Sequence, residues 1–278
     1  MKFCGMVTLY NPTQENIDNI YEYLDELDKV YLIDNSSIDN SKLIKKNKKI
    51  MYIPNKDNLG IATALNMACK QAIKDKFNWI LTMDQDSKIT KKVLLELIKY
   101  VKENDTTDVS IVSPYHNIDT NRIKSKKKIE ECLEVMTSGN LLNLDIYQKI
   151  GGFKDWLFID DVDIEYCLNA NKNGYKVLRM NDVIMDHHLG NTKTYKIFNK
   201  RFICSNHNAT RRYYMVRNML YVYDLYHDVY PEYCEFLKNV QKGQVRYILM
   251  FEKNKFRKLK MMYKGYKDYK KGIKGKLV

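Results

Sequence analysis

Short apolar segments alternate with amphipathic segments through the first half of the chain. The apolar segments are mostly β-favouring, which is typical of buried strands, and they cover residues 3–9, 30–33, 50–53, 79–83 and 110–112. The amphipathic segments repeat apolar residues every three or four positions, as one face of a helix does, and they cover residues 13–27, 60–73 and 91–102. This alternation predicts an α/β fold in which helices flank a mostly parallel sheet on both faces.

The regular alternation ends near residue 115. The elements predicted beyond it are a polar loop at 116–128, a strand at 135–144, a helix that ends at Gly174, and short strands at 177–180 and 183–185. From Thr194 onward the pattern predicts helices. We therefore expect a sheet domain over 1–192 and a helical C-terminal region over 193–278.

Polar side chains follow four of the predicted strands at the point where each strand ends. They are Tyr10 and Asn11, Asp34 and Asn35, Asn55 and Asn58, and Asp84 and Asp86. Because ligands of open α/β folds bind at the carboxyl edge of the strands, these residues predict a cleft suited to a nucleotide. There is no GxGxxG after the first strand and no GxxxxGK(S/T), so neither a classical dinucleotide fold nor a P-loop is expected.

The pair Asp84 and Asp86, separated by Gln85, is the most informative feature of this edge. Two carboxylates crowded at a strand end repel each other unless a cation joins them. Mg²⁺ and Mn²⁺ accept oxygen ligands and keep positions open for phosphate oxygens. The pair therefore predicts a site for a metal and a phosphate-bearing ligand, and the alternative is a solvated turn.

A second acidic cluster contains Asp160, Asp161, Asp163 and Glu165. At helical spacing Asp161 and Glu165 share a face, and Asp163 lies on another. The cluster suits either a general base for an acceptor hydroxyl or acidic charge at a helix N-terminus. Further on, His187 or His188 is a candidate third metal ligand, and the alternative is a structural histidine pair.

The net charge of +13 is concentrated at the C-terminus of the chain. Residues 238–278, the basic segment, hold twelve Lys and two Arg against Glu252 and Asp268, with aromatic residues interleaved. This composition favours an anionic membrane surface, and the alternatives are a solvated helical face and a nucleic acid. We expect a chain ending near residue 237 to stay folded and to lose binding to anionic vesicles.

The rest of the composition bears on the compartment. The N-terminus lacks the apolar stretch of a signal peptide, and no apolar run is long enough to span a bilayer. The six cysteines are scattered without a CxxC pair, so we expect free thiols in a reducing compartment.

These segments together resemble the inverting nucleotide-sugar glycosyltransferases of family 2, which have the GT-A fold, and bacterial rhamnosyltransferase-like members most of all. The likeness covers roughly residues 3 to 220. The matching pieces, in chain order, are VTLYNP at 7–12, LIDNSS at 32–37, NLGIATALN at 58–66, LTMDQDS at 81–87, SG at 138–139, GGF at 151–153, FIDDVDIEYCL at 158–168, GY at 174–175, HHLG at 187–190 and RYYMVRN at 212–218.

The resemblance implies a role for each matching residue. The expected nucleotide-binding residues are Thr8, Tyr10, Asn11, Asp34, Asn58, Gly60, Asp84 and Gln85. Asp84 and Asp86 correspond to the DxD motif of the family, with Asp86 the more direct ligand of Mg²⁺ or Mn²⁺ and His187 the later metal-side histidine. Ser138 and Gly139 are expected near a phosphate or the acceptor.

The resemblance also implies a catalytic base. Counting back from Gly174 assigns that role to Asp163, with Asp160 and Asp161 as alternates. The family usually has an arginine about six residues after the base, and this chain has Asn169 there. A phosphate or acceptor contact is then expected from Arg212 or Arg217.

The implied enzyme is a metal-dependent inverting glycosyltransferase on the inner face of the bacterial cell membrane, in the cytoplasm. The implied donor is a dTDP- or UDP-sugar, with dTDP-rhamnose favoured, and the acceptor is a cell-surface polysaccharide or lipid-linked saccharide. One competing class is the aspartate-based phosphatases, whose motif wants Thr or Val where Lys88 stands and usually lies on the first strand. The other is a nucleic-acid-binding protein, which would leave both acidic clusters unexplained.

Overall fold

The computed structural model describes residues 1–118, 127–186, 193–197 and 200–277. These residues form two compact units, one from Met1–Phe158 and Val162–His188 and the other from Ile159–Asp161 and Leu189–Val278, each within its described part. We call them the sheet unit and the helical unit. His187 and His188 lie outside the described residues.

Eight strands of the described chain form the mixed sheet of the sheet unit. They are β1 (Phe3–Leu9), β2 (Lys29–Asp34), β3 (Ile50–Pro54), β4 (Trp79–Asp84), β5 (Val109–Asn117), β6 (Ile129–Glu131), β7 (Asn140–Asn143) and β8 (Lys176–Asp186). Their order is β3-β2-β1-β4-β7-β5-β8-β6. The first four pair in parallel, as do β5 and β8, whereas β7 and β6 are antiparallel to their neighbours. The predicted α/β class is confirmed.

Five helices flank this sheet, and the alternation of strand side chains explains how both faces are covered. They are α1 (Gln14–Tyr21), α2 (Ile61–Lys74), α3 (Lys91–Glu103), α4 (Leu144–Ile150) and α5 (Val162–Lys172). Val30 and Leu32 pack in one apolar cluster with residues of α1 and α3, and Tyr31 and Ile33 pack in the other with residues of α2, α4 and α5. Successive strand residues point to opposite faces, so a continuous apolar strand contributes side chains to both clusters.

Two sequence predictions within the sheet unit were wrong in detail. The helix expected over 13–27 ends at Tyr21, and a separate 3-10 turn covers Leu24–Glu26. The strands expected at 177–180 and 183–185 form the single strand β8, whose pairing with β5 jumps from Pro114–Met180 to Tyr115–Ile184. The irregular pairing lets one strand accommodate the polar residues that the pattern took for a break.

The helical unit contains two paired strands, so the expectation of helices from Thr194 onward was also wrong at its start. β9 (Lys193–Ile197) pairs antiparallel with β10 (Lys200–Cys204). Both strands are rich in β-branched and aromatic residues, which favour strands over helices. The helices α6 (Ala209–Tyr226), α7 (Pro231–Phe251) and α8 (Lys255–Lys270) follow.

The basic segment contributes buried side chains to the core of the helical unit. Ile248 of α7 and Met262 of α8 are buried, and a Cβ on Gly265 would lie 2.5 Å from the Tyr213 carbonyl oxygen, so α8 runs in close contact with α6. A chain ending near residue 237 would lack these buried side chains, so the structure favours loss of the helical unit over the stable truncated fold expected from the sequence. No helix of the described residues is long and apolar enough to cross a membrane.

Candidate active site

The loops after β1 and β4 are joined at the carboxyl edge of the sheet by Gln85. Its side-chain oxygen accepts a hydrogen bond from Tyr10 N at 2.7 Å, and its side-chain nitrogen donates to Tyr10 O at 3.1 Å. The Gln85 carbonyl accepts from Asn16 Nδ2 of α1 at 3.0 Å. Gln85 therefore fixes the loop on which Asp84 is half-buried and Asp86 is exposed.

Asp34, at the end of β2, is a buried carboxylate with four hydrogen-bond donors. Its Oδ1 accepts from Ser36 N at 2.9 Å and Ser36 Oγ at 2.5 Å, and its Oδ2 accepts from Asn40 Nδ2 at 2.9 Å and Tyr52 OH at 2.7 Å. Burial and the bond to Asp34 raise the pKa of Tyr52, which keeps its hydroxyl a donor. Asp34 is 1% exposed and shapes the loop after β2. Direct contact between Asp34 and the base of a bound nucleotide stays a prediction.

A chain of amide hydrogen bonds extends this edge from β2 to the start of α2. Asn55 Nδ2 donates to Asn35 Oδ1 at 2.8 Å, and Asn35 Nδ2 donates to the Gly60 carbonyl at 3.1 Å. Asn58 Oδ1 accepts from Gly60 N at 3.0 Å. The predicted residues Asn58 and Gly60 are thus held beside the ends of β2 and β3.

The ends of β1 and β2 also meet directly. Asn35 N donates to the Leu9 carbonyl at 2.8 Å, and Asn11 N donates to Ser36 Oγ at 2.7 Å, with Asn11 in a left-handed conformation of φ 47°. Thr8 is half-buried and lies in register between Ile33 and Asp84. The structure therefore brings the predicted residues at the ends of these strands together.

Ser138 and Gly139 lie beside the end of β4. Asp84 N donates to Ser138 Oγ at 3.1 Å, and Gly139 N donates to the Thr82 carbonyl at 2.7 Å. A ring nitrogen of His116 lies 2.6 Å from the Ser138 carbonyl oxygen. His116 was not predicted from the sequence, because a lone histidine in a polar stretch carries no pattern. Ser138 is thus in direct contact with Asp84, the first carboxylate of the pair at the end of β4.

Asp163 stands in the first turn of α5, at the positive end of the helix dipole, which favours a carboxylate. It is half-buried and lines a small cavity in the sheet unit with Thr82 and Asn140. Asp161 precedes the helix at φ 59°, so the expectation that it shares a helical face with Glu165 is wrong. Asn169, which replaces the usual arginine of the family, donates from its amide to the Ile150 carbonyl at 3.0 Å.

Asp160 belongs to the helical unit, where Arg211 of α6 holds both of its carboxylate oxygens. Arg211 Nε lies 2.8 Å from Oδ2 and 3.0 Å from Oδ1, and Arg211 Nη2 also donates to Oδ1. Asn218 Nδ2 donates to the carbonyls of Ile159 at 2.7 Å and Asp160 at 3.0 Å. Burial raises the pKa of Asp160, against the opposing charge of Arg211.

Arg211 and Asn218 were not predicted from the sequence as partners of Asp160. The available signal was their spacing of seven residues, which places both on one face of α6. Arg212 and Arg217, which were expected at a phosphate or the acceptor, are 0% exposed. Arg212 Nη2 donates to Glu252 at 2.6 Å, and Arg217 Nη1 donates to the Gly275 carbonyl at 2.6 Å. Both guanidinium groups are therefore packed inside the helical unit.

The metal ligands expected from the sequence are only partly described. Within the ranges that the structure covers, no three His, Cys, Asp or Glu side chains are grouped closely enough to hold a metal ion. Asp84 and Asp86 are the carboxylates at the strand end, and His187 falls outside those ranges.

Comparison with known proteins identifies the family. The sequence model of the family described as Glycosyl transferase family 2 matches residues 7–166. A relative, the dTDP-rhamnosyl transferase RfbF of Shigella flexneri, is 27% identical over 231 residues, which are 77% of this chain and 77% of that protein.

Two solved structures share the fold. S. aureus TarS in complex with UDP-GlcNAc aligns with a TM-score of 0.58 and 14% identity, over 98% of this chain and 82% of that one. GalNAc-T7 with UDP, GalNAc and Mn²⁺ aligns with a TM-score of 0.59 and 11% identity, over 98% of this chain and 56% of that one. The likeness concerns the fold, and it confirms the predicted GT-A architecture.

Proposed function

The chain belongs to glycosyltransferase family 2, and from this premise we propose that it transfers rhamnose from dTDP-rhamnose to a hydroxyl of a saccharide acceptor. The named relative, a dTDP-rhamnosyl transferase, supports this choice of donor. A UDP-linked hexose is the second candidate donor, because a fold neighbour holds UDP-GlcNAc. The predicted domain 1–192 would bind the donor and carry the catalytic residues.

The connected carboxyl edge of β1, β2, β3 and β4 carries the proposal. The hydrogen bonds between Tyr10 and Gln85, and from Asn55 through Asn35 to Gly60, hold the loops in one arrangement before any ligand arrives. A preformed polar edge lowers the ordering cost of binding a nucleotide. Thr8, Tyr10 and Asn11 would line the base, and Asp84 would lie near the ribose.

Asp84 and Asp86 are the residues that would hold a divalent metal on the donor diphosphate. Carboxylate oxygens suit Mg²⁺ or Mn²⁺, and Mg²⁺ commonly takes only one or two carboxylates together with phosphate oxygens and water. When bound, such an ion would stabilise the charge that develops on the departing diphosphate. His187 would be a further ligand.

Asp163 would act as the general base. The acceptor hydroxyl gives its proton to the Asp163 carboxylate, and its oxygen forms a bond to the anomeric carbon on the face opposite the nucleotide. The bond between that carbon and the diphosphate oxygen breaks in the same displacement, so the configuration inverts. The double hydrogen bond from Arg211 makes Asp160 a poor alternative, because both of its oxygens are already engaged.

The acceptor would be a lipid-linked saccharide or a growing polysaccharide at the inner face of the cell membrane. The charge of the basic segment supports peripheral binding to anionic lipid. A catalytic unit held there would meet an acceptor confined to two dimensions.

A thermal-shift panel tests the donor proposal. dTDP, UDP, GDP and CDP are each added with Mn²⁺ and with EDTA. A ligand at a hundred times its dissociation constant adds about 2.7 kcal/mol of stability. We expect the melting temperature to rise with dTDP or UDP and not with GDP or CDP, and to rise only when Mn²⁺ is present. No rise with any nucleotide at millimolar ligand would refute donor binding at this edge.

The substitution Asp163→Asn tests the base. We expect turnover to fall by about 10²–10⁴-fold, with dTDP affinity unchanged, because proton transfer is lost and the donor edge is intact. Asp145→Asn is the matched control, because Asp145 is an exposed residue in the first turn of α4, and it should keep normal turnover. Near-normal turnover by Asp163→Asn would transfer the role to another residue.

A further inference from the structure

Folding removes every acidic side chain from the surface of the described basic segment, residues 238–277. Its only acids, Glu252 and Asp268, are 3% and 6% exposed. Glu252 accepts from Arg212 at 2.6 Å and from Lys258 at 2.7 Å, and Asp268 accepts from Lys264 at 2.7 Å. The exposed charged side chains of the segment itself are therefore all cationic, which its sequence alone does not show.

The outer face of α8 combines these cations with aromatic rings. Phe256, Lys260, Tyr263, Lys267 and Lys270 recur at the spacing of one helical face, and all five are exposed. Tyr263 also stacks with the exposed Tyr266 at 6.5 Å between ring centres. Tyrosine and lysine side chains of this kind suit the boundary between water and lipid headgroups.

The turn between α7 and α8 adds an apolar patch at the end of this face. Leu249 is 51% exposed, Met250 is 59% exposed and Phe256 is 91% exposed. Lys255 Nζ donates to the Leu249 carbonyl at 2.6 Å, which ties the start of α8 to the last turn of α7 and brings these three side chains into one region. Lys253 and Arg257, both exposed, lie in the same turn.

We infer that the outer face of α8 and this apolar turn bind an anionic lipid bilayer, with Phe256 inserted between the headgroups. The inference rests on the membrane binding in the proposed function and names the surface that would carry it. Cations alone would suit either lipid or nucleic acid, but an exposed leucine, methionine and phenylalanine gain most from leaving water for hydrocarbon. The segment exposes no carboxylate of its own over 238–277, and an exposed acid of α6 that contacts it, Asp224, accepts a hydrogen bond from Tyr269 OH at 2.6 Å. Cations therefore outnumber acids at this surface, which favours lipid phosphates.

Sedimentation of the full chain with vesicles tests this inference without any nucleotide sugar, so its outcome is independent of sugar transfer. The vesicles are phosphatidylcholine alone or with phosphatidylglycerol. We expect binding to the anionic vesicles only. Phe256→Ser should weaken it about tenfold, because one inserted aromatic side chain is lost. The triple variant Lys260→Gln, Lys267→Gln, Lys270→Gln should weaken it about a hundredfold, at roughly fivefold per charge.

The matched control removes the same charge elsewhere. Lys42→Gln, Lys46→Gln, Lys48→Gln changes three exposed lysines of the sheet unit and should leave vesicle binding unchanged. Normal thermal unfolding of each variant shows that the fold is intact. Equal binding by the α8 triple variant and this control would overturn the inference. Duplex DNA binding that the α8 triple variant loses, together with no effect of Phe256→Ser on vesicles, would replace lipid by nucleic acid.

Discussion

Gly60→Ala tests whether the residue before α2 must be glycine. A side chain there would meet both an unfavourable backbone conformation and a lack of space. The Gly60 backbone has φ 88° and ψ 165°. A residue with a side chain held in that region costs about 1–3 kcal/mol. A Cβ would also lie 2.5 Å from the Phe158 carbonyl oxygen and 2.9 Å from Phe158 Cα. Phe158 cannot retreat without stretching its 2.7 Å hydrogen bond from Ile61 N.

The two costs add because one concerns the backbone and the other concerns packing. Inserting a methyl group into filled space costs about 1–3 kcal/mol. We therefore expect Gly60→Ala to lower the free energy of unfolding by about 2–6 kcal/mol, a large part of the roughly 5–15 kcal/mol of a typical domain. Since Gly60 also accepts from Asn35, nucleotide affinity should fall as well.

Urea unfolding followed by tryptophan fluorescence is a suitable assay, because Trp79 and Trp156 both belong to the sheet unit. Gly151→Ala is the matched control. Gly151 has φ 86° and ψ 17°, a left-handed conformation that strains a side chain less than the Gly60 conformation does, and nothing lies within 4 Å of a Cβ built there. This variant therefore carries a milder positive-φ strain and no clash. A loss for Gly60→Ala no greater than that for Gly151→Ala would refute the role of the close approach to Phe158.

Three further predictions concern the helical unit. Glu252→Gln leaves Arg212 and Lys258 buried without their anion, so we expect the free energy of unfolding, measured in urea by circular dichroism, to fall by about 3–5 kcal/mol. The control Glu235→Gln breaks an exposed pair and should lower it by less than about 1 kcal/mol. Burial, with Arg211 and Arg212 nearby, lowers the pKa of His207 from 6.5 to about 4. The unfolded chain therefore takes up the proton first as pH falls, and the stability present above about pH 6.5 declines toward pH 4; His207→Asn should remove about 1–2 kcal/mol of that decline, and identical pH profiles would contradict it. A chain ending at residue 237 should lose the cooperative unfolding of the helical unit in circular dichroism, and an unchanged transition would show that α6 does not need α8.

The sheet was predictable because its determinants are local. The strand of residues 3–9 and the helix of residues 91–102 were expected within one residue of β1 and α3, since apolar periodicity and the Thr90 cap lie in the same stretch of sequence. The insertion of β7 between β4 and β5, antiparallel to both, depends on pairing between distant segments and has no local signal.

The residues of the site were easier to nominate than their partners. Asp84 and Asp86 follow a strand, so their position at the sheet edge could be predicted. The contact between Asp160 and Arg211 spans 51 residues, and it depends on left-handed conformations at Asp160 and Asp161 that the sequence does not reveal. The buried partner of Arg212 was equally hard to predict, because Glu252 lies 40 residues further along the chain.

Residues 159–161 have a consequence for how such proteins can be recombined. They belong to the helical unit, although the chain on both sides of them belongs to the sheet unit. A helical region made separately from residue 193 would lack the carboxylate that Arg211 binds and the carbonyls that Asn218 binds. The C-terminal helices therefore cannot be exchanged as a continuous segment of the chain. A chimaera that joins them to another sheet unit must also include Ile159 and Asp160.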